Sequence, residues 1–124
     1  MKFLHTRLKV RDLDRSIRFY EENFGFQVRV RHSSPRGSQL AHLRMPEGGT
    51  ELELAYLPWD PDFKLDEDIF HLAFLVDSVP QAVEEMRARG VKITEEPSEI
   101  GSGMMAFLED PDGYEIELLD HSKQ

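Results

Sequence analysis

Cysteine is absent from the 124 residues, which excludes disulfides, thiolate metal sites and a cysteine nucleophile. Any metal must therefore be held by His, Asp or Glu. The chain also lacks any apolar run approaching the roughly 18 residues of a membrane span. Lys2 and His5 interrupt the apolar residues at its start, so neither a spanning helix nor a secretory leader is expected. The expected location is the cytoplasm. Positive charge is the next shortage, with 15 Lys and Arg against 24 Asp and Glu and a formal net charge of −9. No nucleic-acid partner is expected, because neutralising phosphates needs a cationic face.

The charge is unevenly spread. Residues 1–45 hold ten Lys/Arg against four Asp/Glu, and residues 46–124 hold five against twenty. The basic half suits an anionic ligand or an acidic partner surface, or is a solvated face. With 40% hydrophobic and 31% charged residues, the length and composition fit one soluble domain.

Residues 3–10, FLHTRLKV, alternate as a strand, with Leu4, Thr6, Leu8 and Val10 on one side and His5, Arg7 and Lys9 on the other. A helix follows. Asp12 is its N-cap, Leu13, Ile17, Tyr20 and Phe24 recur at helical spacing, and Gly25 closes it. Three strands are expected near 26–31, 39–45 and 51–57, separated by SSPRG and PEGG turns. The stretch 58–68, PWDPDFKLDED, has two prolines, dense negative charge and no periodicity, and reads as a linker between module 1 (about 1–57) and module 2 (about 69–120).

The plan then repeats. IFHLAFLVD is a strand, and SVPQAVEEMRARG a helix in which Ser78 and Gln81 form a capping box and Pro80 fits the first turn. Strands follow near 91–94, 104–109 and 114–119, the last two joined by a tight turn through Asp110, Pro111, Asp112 and Gly113. His5 stands 48 residues before Glu53, and His71 stands 46 before Glu117. Each half is thus βαβββ with a histidine on its first strand and Glu-x-Glu on its last. The fold class expected is α+β, two such modules with curved mixed sheets around a shared hollow.

Two histidines and two glutamates on strands of equal rank form an N2O2 donor set that suits zinc, nickel, cobalt or non-haem iron. Four protein ligands on a six-coordinate ion leave two positions for water or substrate, a catalytic pattern. Strand parity leaves each glutamate pair open, since Glu51 shares a face with Glu53 and Glu115 with Glu117. Taken singly, such residues are more often solvated side chains than ligands. His32, His42 and His121 have no counterpart in the other half and are set aside as bystanders, and Asp110 and Asp112 as turn residues.

HTRLKVRDLDRSIRFYEENFGF, TELELAYL, FHLAFLVD and AFLEDPDGYEIELLD together resemble the glyoxalase I (lactoylglutathione lyase) family of the vicinal oxygen chelate superfamily, over nearly the whole chain. The resemblance implies that His5, Glu53, His71 and Glu117 are the metal ligands, choosing the inner glutamate of each pair. It implies a homodimer whose sites each take two ligands from each chain. The implied reaction isomerises the hemithioacetal of methylglyoxal and glutathione through an enediolate. Glu117 would move the proton, with Glu53 its pseudo-symmetric counterpart. A histidine at the first ligand position and a short chain resemble the nickel or cobalt enzymes more than the zinc ones.

Lys9, Arg7 and Trp59 are the expected substrate-binding residues. Lys9 stands where many family members have arginine, keeping the charge without the bidentate fork. Leu57 replaces an asparagine, Glu99 a lysine and Arg7 a methionine, so the glutathione side departs from the family pattern while the metal side keeps it. The alternatives are an isomerase or epimerase of the same superfamily acting on a small α-oxygenated acid, or a binding protein without catalysis. An extradiol dioxygenase fits less well, because a fourth ligand is present at Glu53.

Overall fold

Apolar residues at every second position of a strand and every third or fourth of a helix need one shared surface to cover them, and the chain builds that surface twice. The computed structural model describes all 124 residues, which divide into two compact units, Met1–Lys64 and Leu65–Gln124. No regular element lies between residues 57 and 70. Each unit is βαβββ with one helix and a four-stranded mixed sheet, the α+β arrangement that the sequence predicts.

In unit 1, β1 (His5–Lys9), α1 (Leu13–Phe24), β2 (Gln27–Ser33), β3 (Gln39–Arg44) and β4 (Glu51–Tyr56) form a sheet of order β1-β4-β3-β2. The β1–β4 pair is parallel and the others antiparallel. Asp12 accepts a bond from the Arg15 amide at 3.0 Å, satisfying an N-terminal donor of α1, and Gly25 at φ 75° ends the helix in the left-handed conformation. Helix α1 packs on β3 and β4 through Leu13, Ile17 and the fully buried Tyr20. Burying each such side chain contributes about 1.5–3 kcal/mol. The first strand is shorter than predicted. Its pairing starts with His5 opposite Glu51, so Leu4 lies outside it and is exposed, while Leu8 and Val10 are buried.

Unit 2 repeats the order with β5 (His71–Leu75), α2 (Val79–Ala88), β6 (Lys92–Ile100), β7 (Gly103–Glu109) and β8 (Glu115–Leu119), arranged β5-β8-β7-β6. Ser78 caps α2 by accepting from the Gln81 amide at 3.3 Å, but the Gln81 side chain turns to Glu85 instead of back to the cap, so only half of the expected capping box forms. Strand β6 runs six residues beyond its predicted end near 94, to Ile100. Pro97 does not stop it because the register shifts between Ile93 and Glu95 and again between Glu95 and Ser98. Pro97 thus falls within an irregular stretch of an edge strand, where its missing donor removes no ladder bond. The Asp110–Gly113 turn forms as expected, with Asp110 Oδ1 accepting from the Asp112 and Tyr114 amides at 2.9 and 3.0 Å.

Asp120, 1% exposed, ties unit 2 together. Its carboxylate accepts from the amides of Val79, Met104 and Ser122 at 2.7, 2.8 and 3.1 Å, and from the Ser122 hydroxyl at 2.7 Å. These donors, the Val79 amide first, hold it ionised far below the usual carboxylate range. The approach is so close that a Cβ on Gly103 would lie 2.3 Å from two Asp120 oxygens.

Candidate metal centre

Alternation on β1 puts His5, Arg7 and Lys9 on the sheet face away from the buried Leu8, and the parallel register places Glu51, Glu53 and Ala55 beside them. His5 stands opposite Glu51, yet its Nε2 lies 3.5 Å from Glu53 Oε2, because side chains lean along the strand. Unit 2 repeats this geometry. His71 stands opposite Glu115, and its Nε2 lies 3.3 Å from Glu117 Oε1. Each inner glutamate and its histidine are therefore adjacent donors able to chelate one ion.

The outer glutamates behave differently. Arg29 holds Glu51 through two bonds, 2.5 Å from Nε and 2.8 Å from Nη2, and these bonds keep the Glu51 carboxyl below its ordinary range. A carboxylate so engaged is a poor metal donor, and in unit 1 the inner Glu53, 4% exposed, is the buried one.

His42, a bystander by sequence pattern, stands directly opposite Glu53 in the antiparallel register, with its Nε2 3.3 Å from Oε2. The ligand atoms of His5, His42 and Glu53 all lie within 4.8 Å of one another. The missed signal was the turn. Pairing mirrored about the MPEGGT loop couples residue 42 to 53, just as pairing mirrored about Asp112 couples Phe107 to Glu117. The counterpart of His42 in the other half is thus a phenylalanine. His42 meets His5 edge-on at 5.4 Å and 82°, and Phe107 meets His71 edge-on at 5.6 Å and 82°.

The expected substrate-binding residues all lie in unit 1, each with a partner. Arg7 forms a short bond to Glu53 Oε1. Lys9 pairs with Asp60 at 2.5 Å, and its ammonium lies 5.4 Å from the centre of the Phe63 ring. Trp59 is half exposed under the Arg36 guanidinium, 4.3 Å from the ring centre. Glu99 pairs with Lys123 at 2.8 Å, which lowers the Glu99 pKa. Imidazole nitrogens and carboxylate oxygens without sulfur suit nickel, cobalt, zinc or iron, so this donor chemistry fits a divalent transition metal.

No helix is long and apolar enough to cross a membrane. Residues 2–118 match the model of the Glyoxalase/Bleomycin resistance protein/Dioxygenase superfamily. The chain is 39% identical to the lactoylglutathione lyase of Haemophilus influenzae, covering 98% of this chain and 93% of that protein. It is 36% identical to the lactoylglutathione lyase of Escherichia coli O157:H7, covering 97% and 93%. The solved trypanothione-dependent glyoxalase I of Leishmania major superposes with a TM-score of 0.84 at 40% identity, covering 98% of this chain and 87% of that one. With a family match spanning almost its whole length and relatives this similar, the chain belongs to the Glyoxalase/Bleomycin resistance protein/Dioxygenase superfamily.

Proposed function

We propose that this chain is a metal-dependent lactoylglutathione lyase of the glyoxalase I type. It would isomerise the hemithioacetal of methylglyoxal and glutathione to S-lactoylglutathione in the cytoplasm. The observation that carries this reading is the doubled chelating pair, His5 with Glu53 and His71 with Glu117, in a chain with lactoylglutathione lyase relatives over nearly its full length. The four residues are read as one ligand set, completed in a homodimer by the pairs of two copies. The short chain and the first-position histidine favour nickel or cobalt over zinc. A bound ion supplies Lewis-acid polarisation of the substrate's adjacent oxygens.

The protein's own share of the chemistry is a proton transfer. Hydrogen moves from the carbon bearing sulfur to the neighbouring carbonyl carbon with no net oxidation, so one carboxylate acting as base and then acid suffices. Glu117 is the better placed of the two. Its side chain is 19% exposed with the His71 Nε2 3.3 Å away, whereas that of Glu53 is 5% exposed, bonded to Arg7 and faced by two imidazoles. Glu53 takes the static role of the pair. Arg7, Lys9 and Trp59 are the proposed substrate contacts, with Lys9 exchanging Asp60 for a substrate carboxylate.

The test is thioester formation from methylglyoxal and glutathione by chelator-stripped protein, before and after adding nickel, cobalt or zinc, with trypanothione as a second thiol. Metal-restored turnover with either thiol is the expected result and identifies the thiol. Metal binding without turnover on either would overturn the lyase. The remaining reading is then an isomerase acting on a small α-oxygenated acid, which the two cations Arg7 and Lys9 beside His5 favour.

A further inference from the structure

We propose that His42 is itself a metal ligand, adding a second imidazole to the His5 and Glu53 half of the metal site, an inference that rests on the metal-dependent reading above. Two imidazole nitrogens face one oxygen, with His5 Nε2 3.5 Å and His42 Nε2 3.3 Å from Glu53 Oε2, and all three ligand atoms fall within 4.8 Å. An ion bonding nitrogen and oxygen at roughly 2.0–2.2 Å spans donors about 3–4 Å apart. Modest side-chain adjustment therefore closes the set.

The surroundings favour ligation. Arg7 holds the other oxygen, Glu53 Oε1, leaving Oε2 for the ion, and ligating carboxylates ordinarily have such an outer partner. The His42 ring is fixed before any ion arrives, stacked on His32 at 5.6 Å and 13° and edge-on to His5. The His42 side chain is 13% exposed, and Nδ1 is buried without a hydrogen-bond partner. Glu51 Oε1, 3.8 Å from Nδ1, stands on the side where a ligating histidine usually has a carboxylate. Ligation through Nε2 leaves the ring proton on Nδ1, the nitrogen that faces Glu51. Unit 2 lacks this third donor, since Phe107 fills the matching position.

The test counts imidazoles on the bound ion in the full chain. Copper-loaded protein is examined by pulsed electron paramagnetic resonance as wild type, His42→Phe and His71→Ala, with cobalt affinity measured by equilibrium dialysis. His42→Phe should remove one coupled imidazole and weaken cobalt binding about tenfold or more. It carries the side chain that unit 2 already accommodates here, and His42→Gln replaces it should the phenylalanine variant precipitate. An unchanged count in either His42 variant overturns the proposal, as does failure of the wild type to bind metal. His71→Ala reads the lyase ligand set separately. A count lowered by His42→Phe but not by His71→Ala sinks that ligand set and leaves this site standing, and the reverse result does the opposite.

Discussion

The two units share a plan and the position of one chelating pair, but they differ in what surrounds it. Around Glu53 stand Arg7, Lys9 and His42, and at the matching positions around Glu117 stand Ala73, Leu75 and Phe107. One strand face is cationic and nitrogen-rich, the other apolar. In unit 1 the carboxylate is pinned by charge and hydrogen bonds, whereas in unit 2 it meets a single imidazole beside an aromatic edge. A repeated fold can thus hold the His–Glu pair constant while its surroundings diverge, which is the basis for the proposed division into a static carboxylate at Glu53 and a proton-carrying one at Glu117.

Breaking the difference at the carboxylate should have the largest effect. Glu117→Gln should cost about 10²–10⁴ in kcat, the usual contribution of a positioned base, and weaken metal binding. Glu115→Gln should do neither, and equal losses from the two would refute the division of roles. The reciprocal change sharpens the comparison. Phe107→His places an imidazole beside Glu117 as His42 stands beside Glu53, and should tighten cobalt binding about tenfold if the third nitrogen ligates. Equilibrium dialysis reads this directly, and no gain would mean that the unit 1 arrangement depends on more than the added ring.

Much of this was legible from the sequence, where period-2 and period-3.6 patterns, caps and turn residues fixed the order of elements. Asp12, Gly25 and Gly113 each do locally what their chemistry predicts. What escaped was information carried between strands. His42 has no histidine counterpart in the other half, and what it faces is decided by the pairing about the PEGG turn. Strand β6 extends past the expected 91–94 through Pro97, which register shifts on an edge strand tolerate. Strand parity alone leaves the outer and inner glutamates undivided, and the family resemblance favours the inner ones. What no pattern shows is that Arg29 reaches Glu51 from a strand that is not its hydrogen-bonded neighbour.

A smaller effect separates the units in stability. At the position where unit 2 has Asp120, unit 1 has Tyr56, three residues past the inner glutamate in each case. Asp120→Asn should lower the thermal midpoint, because an amide cannot accept from all the donors that converge on the carboxylate. The folded pKa is depressed, so the contribution is present above the ordinary carboxylate pKa of about 3.9 and is lost as pH falls below it. The melting gap between wild type and Asp120→Asn should therefore be widest near neutrality and narrow below about pH 4. Tyr56→Phe should show no such pH dependence, and a gap constant with pH would mean that shape, not ionisation, makes Asp120 matter.

The smallest effect concerns Arg29, whose side chain is about half exposed. Its pairing with Glu51 lowers the carboxyl pKa and raises its own, but exposed ion pairs contribute little to net stability. Arg29→Ala should therefore leave the melting temperature nearly unchanged, while the Glu51 carboxyl signal, followed by NMR, titrates at higher pH. Metal affinity decides what the pairing is for. If Glu53 is the ligand, releasing Glu51 should leave cobalt binding as it was. A rise would mean that Glu51 competes for the ion once freed, making Arg29 the residue that selects the inner glutamate in unit 1, a restraint for which Glu115 shows no arginine in unit 2.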